Sequence, residues 1–122
     1  DERFITNRIC LAAVRIAKTT NVEAIVTLTY SGYTAFQISA HRPNSNIIIY
    51  SSNKRVITML NLLWGVRAYY YTSNKSTDET IVEVNELTLK YGYVEYNDFV
   101  INLNAMPANE SGKTNTLRLT TI

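Results

Sequence analysis

The chain has 122 residues, 46% of them hydrophobic, and a formal net charge of +2, which suits one compact domain over 1–122 with a core of its own. No apolar run approaches the roughly 20 residues of a membrane span, and the lysines and arginines are scattered, so neither a bilayer nor a nucleic-acid partner is expected. The single cysteine, Cys10, excludes an internal disulfide, and the charged start Asp1-Glu2-Arg3 without an apolar leader makes the cytoplasm the expected location.

Ile5, Ile9, Ala12, Ala13, Ile16 and Ala17 recur at helical spacing, with Arg8, Arg15 and Lys18 opposite. This predicts an amphipathic first helix packed on something flat, with Cys10 buried on its apolar side. Ala24–Leu28 is a nearly continuous apolar run, the pattern of a strand buried on both faces. A short second helix carries Ala35 and Ile38 and stops before Pro43, because the residue before a proline is pushed out of helical geometry.

Ile47-Ile48-Ile49-Tyr50 reads as a second buried strand. Asn53 is the expected N-cap of a third helix that packs through Val56, Met59, Leu60 and Leu63 and ends before Gly65. Val66–Tyr71, more polar, reads as a third strand nearer an edge. Ser76-Thr77-Asp78-Glu79 is a capping box that opens a fourth helix through Ile81, Val84 and Leu87, stopping at Gly92. Phe99–Leu103 and Leu117–Thr121 complete the strands.

Alternating helices and strands predict a largely parallel sheet with helices on both faces. The last connection, Asn104–Thr116, shows no helix, and a parallel crossover normally needs one, so the fifth strand is expected to be antiparallel. The nine tyrosines fall mostly in alternating or turn segments, which favours sheet and edge packing over base stacking.

Catalytic constellations are not evident. His41, the one histidine, lies at a helix end, where solvation or capping explains it. Asp78, Glu79, Glu83 and Glu86 fall on the start and outer side of one helix and do not read as an acid/base pair. No cysteine and histidine cluster has metal spacing, and both the Rossmann and Walker glycine patterns are missing.

The candidate site is instead Thr29-Tyr30-Ser31-Gly32-Tyr33-Thr34, where the first strand hands over to the second helix. Free backbone N–H groups and the positive end of a helix dipole meet at such a turn, the arrangement that cradles phosphate. Hydroxyls of Thr29, Ser31 and Thr34 are expected to donate, and Gly32 to let the backbone come close. The segment Ser111-Gly112-Lys113 becomes a second contributor if its loop lies beside this turn, with Lys113 as the cation.

Five segments then stand in a telling order. They are Val26-Thr27-Leu28-Thr29-Tyr30-Ser31-Gly32-Tyr33-Thr34-Ala35, Arg42-Pro43-Asn44 followed by Ile47-Ile48, Trp64-Gly65-Val66, Ser76-Thr77-Asp78-Glu79 and Ser111-Gly112-Lys113-Thr114-Asn115-Thr116-Leu117. Together they resemble the C-terminal domain of pyruvate kinase over essentially the whole chain.

The resemblance implies a three-layer α/β/α domain with a five-stranded mixed sheet, order 3-2-1-4-5, strand 5 antiparallel. It implies a regulatory and oligomerisation role in the glycolytic enzyme that passes phosphoryl from phosphoenolpyruvate to ADP. The implied partners are a phosphorylated effector (a sugar phosphate or a nucleotide monophosphate), the catalytic barrel of the same polypeptide, and a twin domain across a tetramer interface. Phosphate-loop roles carry over to Thr29, Ser31, Gly32 and Thr34. Tyr33 stands where a basic residue is often found, and Ala105 and Asn109 replace usual glycines.

The barrel of such an enzyme holds the metal-binding acids and the phosphoryl-positioning lysine, with magnesium and potassium as its ions. This chain is expected to have no cofactor and no catalytic residue of its own. The alternatives are a structural assembly domain without effector binding, and a free-standing phosphate-binding protein of the same fold.

Overall fold

The strands at the centre of the sheet are those whose sequences are apolar on both sides. In a computed structural model, which describes residues 2–104 and 114–122, the elements run α1 (Glu2–Thr20), β1 (Ala24–Leu28), α2 (Tyr33–Ala40), β2 (Asn46–Ser51), α3 (Lys54–Leu60), β3 (Val66–Tyr70), α4 (Thr77–Lys90), β4 (Phe99–Asn104) and β5 (Thr116–Thr121). The sheet order is β3-β2-β1-β4-β5. β1 pairs in parallel with both β2 and β4, β2 pairs in parallel with β3, and β4 pairs antiparallel with β5. The fold is therefore the expected three-layer α/β/α domain with a mixed five-stranded sheet.

Alternation along each strand divides the core in two. Ile25, Ile47, Ile49, Ile101 and Leu103 point to the face covered by α1, α2 and α3, where they meet Cys10, Ala13, Ala35, Ile38 and Leu60. Ala24, Val26, Ile48, Tyr50 and Val100 point to the opposite face and meet Val84 of α4. Burial pushes the Cys10 thiol up to about 12, so it stays a neutral packing group.

α1 departs from the expected face. Thr6, Cys10, Ala13, Val14 and Ala17 are buried, whereas Ile5 is 53% exposed and Ile9 and Ile16 are only partly covered. The small side chains let the helix approach the sheet closely, and the isoleucines are left on its flank. α3 differs too. Asn53 caps it as expected, accepting from the Arg55 N–H at 3.1 Å, but it ends at Leu60 and Met59 is 40% exposed. The Asn61 side chain stops it by pairing with both the N–H and the C=O of Ala68, at 2.8 and 3.1 Å, as a neighbouring strand would.

The capping box forms. Ser76 Oγ accepts from the Glu79 N–H at 3.3 Å and donates to the Glu79 carboxylate at 2.9 Å. α2 stops at His41, and Arg42 then takes a left-handed φ of +51° before Pro43.

Five tyrosines pack where β2, β3 and the end of α4 meet. Tyr69 stacks on Tyr91 with centroids 4.6 Å apart and shares a 2.5 Å hydroxyl contact with Tyr93. Tyr50 is fully buried and bonds Thr88 Oγ1 at 2.9 Å. One buried pair was not legible in the pattern: Asn85 of α4 and Asn102 of β4 exchange two amide bonds, of 3.1 and 2.8 Å. Each satisfies the other where an unpaired amide is costly.

Candidate functional site

β1 and β4 are parallel neighbours, with Thr27 opposite Leu103, so the turn after β1 and the carboxyl end of β4 at Asn104 lie at the same end of the sheet. Here strand order reverses, since α2 leads from β1 to one side and β4 lies on the other. Open α/β sheets bind ligands at such a switch point, beyond the carboxyl ends of the strands.

The turn is built by its own hydroxyls. The Thr29 N–H donates to the Tyr50 carbonyl at 3.1 Å and continues the ladder one residue past β1. Thr29 Oγ1 then accepts from the Gly32 N–H at 3.1 Å, and Ser31 Oγ from the Tyr33 N–H at 3.3 Å. Gly32 caps α2 at a φ of +88°, where a side chain is strained, and its carbonyl accepts the first helical bond, from the Phe36 N–H. The N–H groups of Thr34 and Ala35 precede that bond and have no partner within the helix. Thr29 and Ser31 act here as acceptors, so neither bond uses its hydroxyl hydrogen.

Thr34 is only 3% exposed, and its hydroxyl lies 2.8 Å from that of Thr114, just before β5. Thr6 of α1 donates to the Thr114 carbonyl at 3.2 Å. Tyr33 turns toward α1, where its hydroxyl donates to Asn7 Oδ1 at 2.7 Å and the Arg3 guanidinium lies 4.5 Å from its ring centroid. The Arg3 cation thus borders Tyr33 at this turn. Ser111, Gly112 and Lys113 lie outside the described residues.

A depression of about 370 Å³ lies elsewhere, on the outer side of α4, lined by Lys75, Asp78, Glu79, Val82, Glu83 and Glu86. Its four carboxylates repel an anion. Lys75 and Glu83 form an ion pair there, which holds the Glu83 carboxyl below its usual range and raises the ammonium. Among the described residues no three His, Cys, Asp or Glu side chains come together as a metal site.

A family model described as pyruvate kinase, alpha/beta domain, matches residues 7–120. The chain belongs to that family. It is 32% identical over 115 residues to a pyruvate kinase of Lactobacillus delbrueckii subsp. bulgaricus, covering 94% of this chain and 20% of that protein. A pyruvate kinase of Staphylococcus aureus (strain USA300) is 31% identical over 118 residues, 97% of this chain and 20% of that one. A crystal structure of a pyruvate kinase from Cryptosporidium parvum matches with a TM-score of 0.84 and 26% identity, over 96% of this chain and 22% of that one. The chain spans about a fifth of these relatives.

In this pyruvate kinase domain the structure brings Thr29, Ser31, Gly32, Tyr33 and Thr34 together at one turn. It adds three residues that the sequence reading did not assign to the site: Thr6, Asn7 and Thr114. Thr6 did carry a signal, as a polar residue on the otherwise apolar face of α1. Asn7 and Thr114 become visible only once α1 and the entry to β5 are placed beside α2.

Proposed function

We propose that this pyruvate kinase domain is the regulatory and oligomerisation part of a cytoplasmic enzyme that transfers phosphoryl from phosphoenolpyruvate to ADP. In this reading it binds a phosphorylated effector, a sugar phosphate or a nucleotide monophosphate, at Thr29–Thr34. One observation carries the reading: α2 opens at the switch point between β1 and β4 with the Thr34 and Ala35 N–H groups ahead of the first helical bond. Ser111, Gly112 and Lys113, outside the described residues, remain further contributors expected from the sequence.

The chemistry belongs to a barrel on the same polypeptide, which holds magnesium and potassium. The chain alone is expected to give only the blank rate in a coupled assay for pyruvate. A twin domain in a tetramer is its other partner.

A second reading, an assembly domain without effector, is favoured by a specific feature. Thr29 and Ser31 already receive the Gly32 and Tyr33 N–H groups, as hydroxyls that merely shape a turn would. Titration of the isotopically labelled chain with fructose 1,6-bisphosphate and with AMP separates the two. Effector binding shifts the Gly32, Thr34 and Ala35 amides at millimolar ligand, and Ser31→Ala weakens it about tenfold or more. A loop that stays silent to both ligands leaves the assembly reading.

A further inference from the structure

An edge strand presents a row of N–H and C=O groups that a strand from another molecule can take up. The sheet has two edges, β3 and β5. β3 pairs with β2 on one side only. In a parallel ladder the N–H and C=O of one residue point to the same side, and those of the next residue to the other. The Tyr71 N–H donates to the Ser51 carbonyl of β2 at 2.9 Å, so Val66, Ala68 and Tyr70 turn their backbone groups outward.

Ala68 is the middle one of the three, and Asn61 occupies both of its groups. Asn61 Oδ1 accepts from the Ala68 N–H at 2.8 Å, and Asn61 Nδ2 donates to the Ala68 carbonyl at 3.1 Å. The same Nδ2 donates to the Ile57 carbonyl, also at 3.1 Å. Three bonds hold the amide in one orientation, its oxygen toward an N–H and its nitrogen toward two carbonyls. The flanks are covered as well. The Val66 N–H turns back to the Leu63 carbonyl at 3.3 Å, and the Lys54 ammonium lies 4.8 Å from the Tyr70 ring centroid.

We propose that Asn61 is an edge guard: its amide stands in for a strand and closes β3 to pairing with a second copy of the chain. An added strand is held by successive outward residues, each exchanging an N–H and a C=O. With Ala68 taken, an incoming strand must break two bonds to Asn61 before it gains any at the centre of β3. The bonds that end α3 therefore also finish one side of the sheet.

The test follows the full chain by sedimentation over rising concentration, in a Leu119→Glu background so that the β5 edge does not contribute. Asn61→Ala is expected to associate at a concentration about 10-fold lower, or more, than its parent, the worth of two ordinary hydrogen bonds set free. Adding Ala68→Pro is expected to reverse this, because proline removes the outward N–H and spares the ladder to β2. At low concentration the Ala68 amide, protected in the parent, is expected to exchange about 10-fold faster or more in Asn61→Ala. Asn61→Leu, similar in volume and without bonding groups, takes its place if the alanine variant does not fold.

A variant that associates no more readily than its parent overturns the guard. Association that persists with Ala68→Pro also overturns it, since the contact then lies elsewhere. A wild-type Ala68 amide that exchanges as fast as a solvent-exposed one overturns it without any variant.

Discussion

Gly32 sits directly against Leu60: a Cβ built on Gly32 would lie 2.8 Å from Leu60 Cδ2. The turn that opens α2 is thereby seated on the last residue of α3. Two separate demands fall on one position, a φ of +88° and the absence of a side chain. Leu60 is fully buried, so its methyl has little room to move aside.

Gly32→Ala is accordingly expected to lower stability by about 1–3 kcal/mol, measured by urea unfolding. In a Leu60→Ala background the steric part disappears and only the left-handed strain remains, about 1–2 kcal/mol. An equal loss in both backgrounds removes Leu60 from the explanation.

The Asn85–Asn102 exchange predicts a sharp asymmetry between single and double substitution. Asn102→Leu leaves the buried Asn85 amide without its partner and is expected to cost about 1–3 kcal/mol. Asn85→Leu with Asn102→Leu removes both polar groups and is expected to recover most of that loss. Additive losses in a double-mutant cycle would contradict the pairing.

Stability is expected to fall on the alkaline side. Burial raises Cys10 from 9.0 to about 12 and drives the Tyr50 phenol upward from 10.0, with Tyr69 raised to about 12. These groups lose protons in the unfolded chain first, so the folded state binds more protons above pH 9 and its stability declines as pH rises. For each fully buried group the limiting slope is about 1.4 kcal/mol per pH unit. Unfolding free energies between pH 8 and pH 10.5 check this. Cys10→Ala should flatten the onset near pH 9, and an unchanged profile rules out the thiol.

β5 ends the sheet, and Leu119 on it is 48% exposed; Ile5 on the flank of α1 is exposed too. An open strand edge with apolar neighbours invites pairing with a second copy. Sedimentation is expected to show concentration-dependent dimerisation of the chain, abolished by Leu119→Glu. A strict monomer at high concentration would count against pairing through this edge.

Much of the architecture was already present in local pattern. The apolar runs at Ala24–Leu28 and Ile47–Tyr50 call for burial on both faces, and the lack of a helical pattern in the sequence after Asn104 favours an antiparallel last strand. Asn53, Ser76 and the glycine after α4 mark their helix ends through bonds to residues a few positions away. These are short-range effects, and a sequence records short-range effects directly.

What the sequence left open depends on contacts between segments far apart in the chain. Periodicity located the apolar side of α1 but not its contact face, because the sheet selected Ala13 and Ala17 for close approach and left Ile5 outside. The length of α3 was decided by Asn61 reaching Ala68. At the candidate site, sequence alone determined the residue types at Thr29–Thr34, since strand, turn and helix start are consecutive. Only the tertiary structure decided that Thr34 faces Thr114 and that Tyr33 faces α1. Hydroxyl partners 80 residues apart in sequence leave no periodic trace, because it is the sheet order that brings them together.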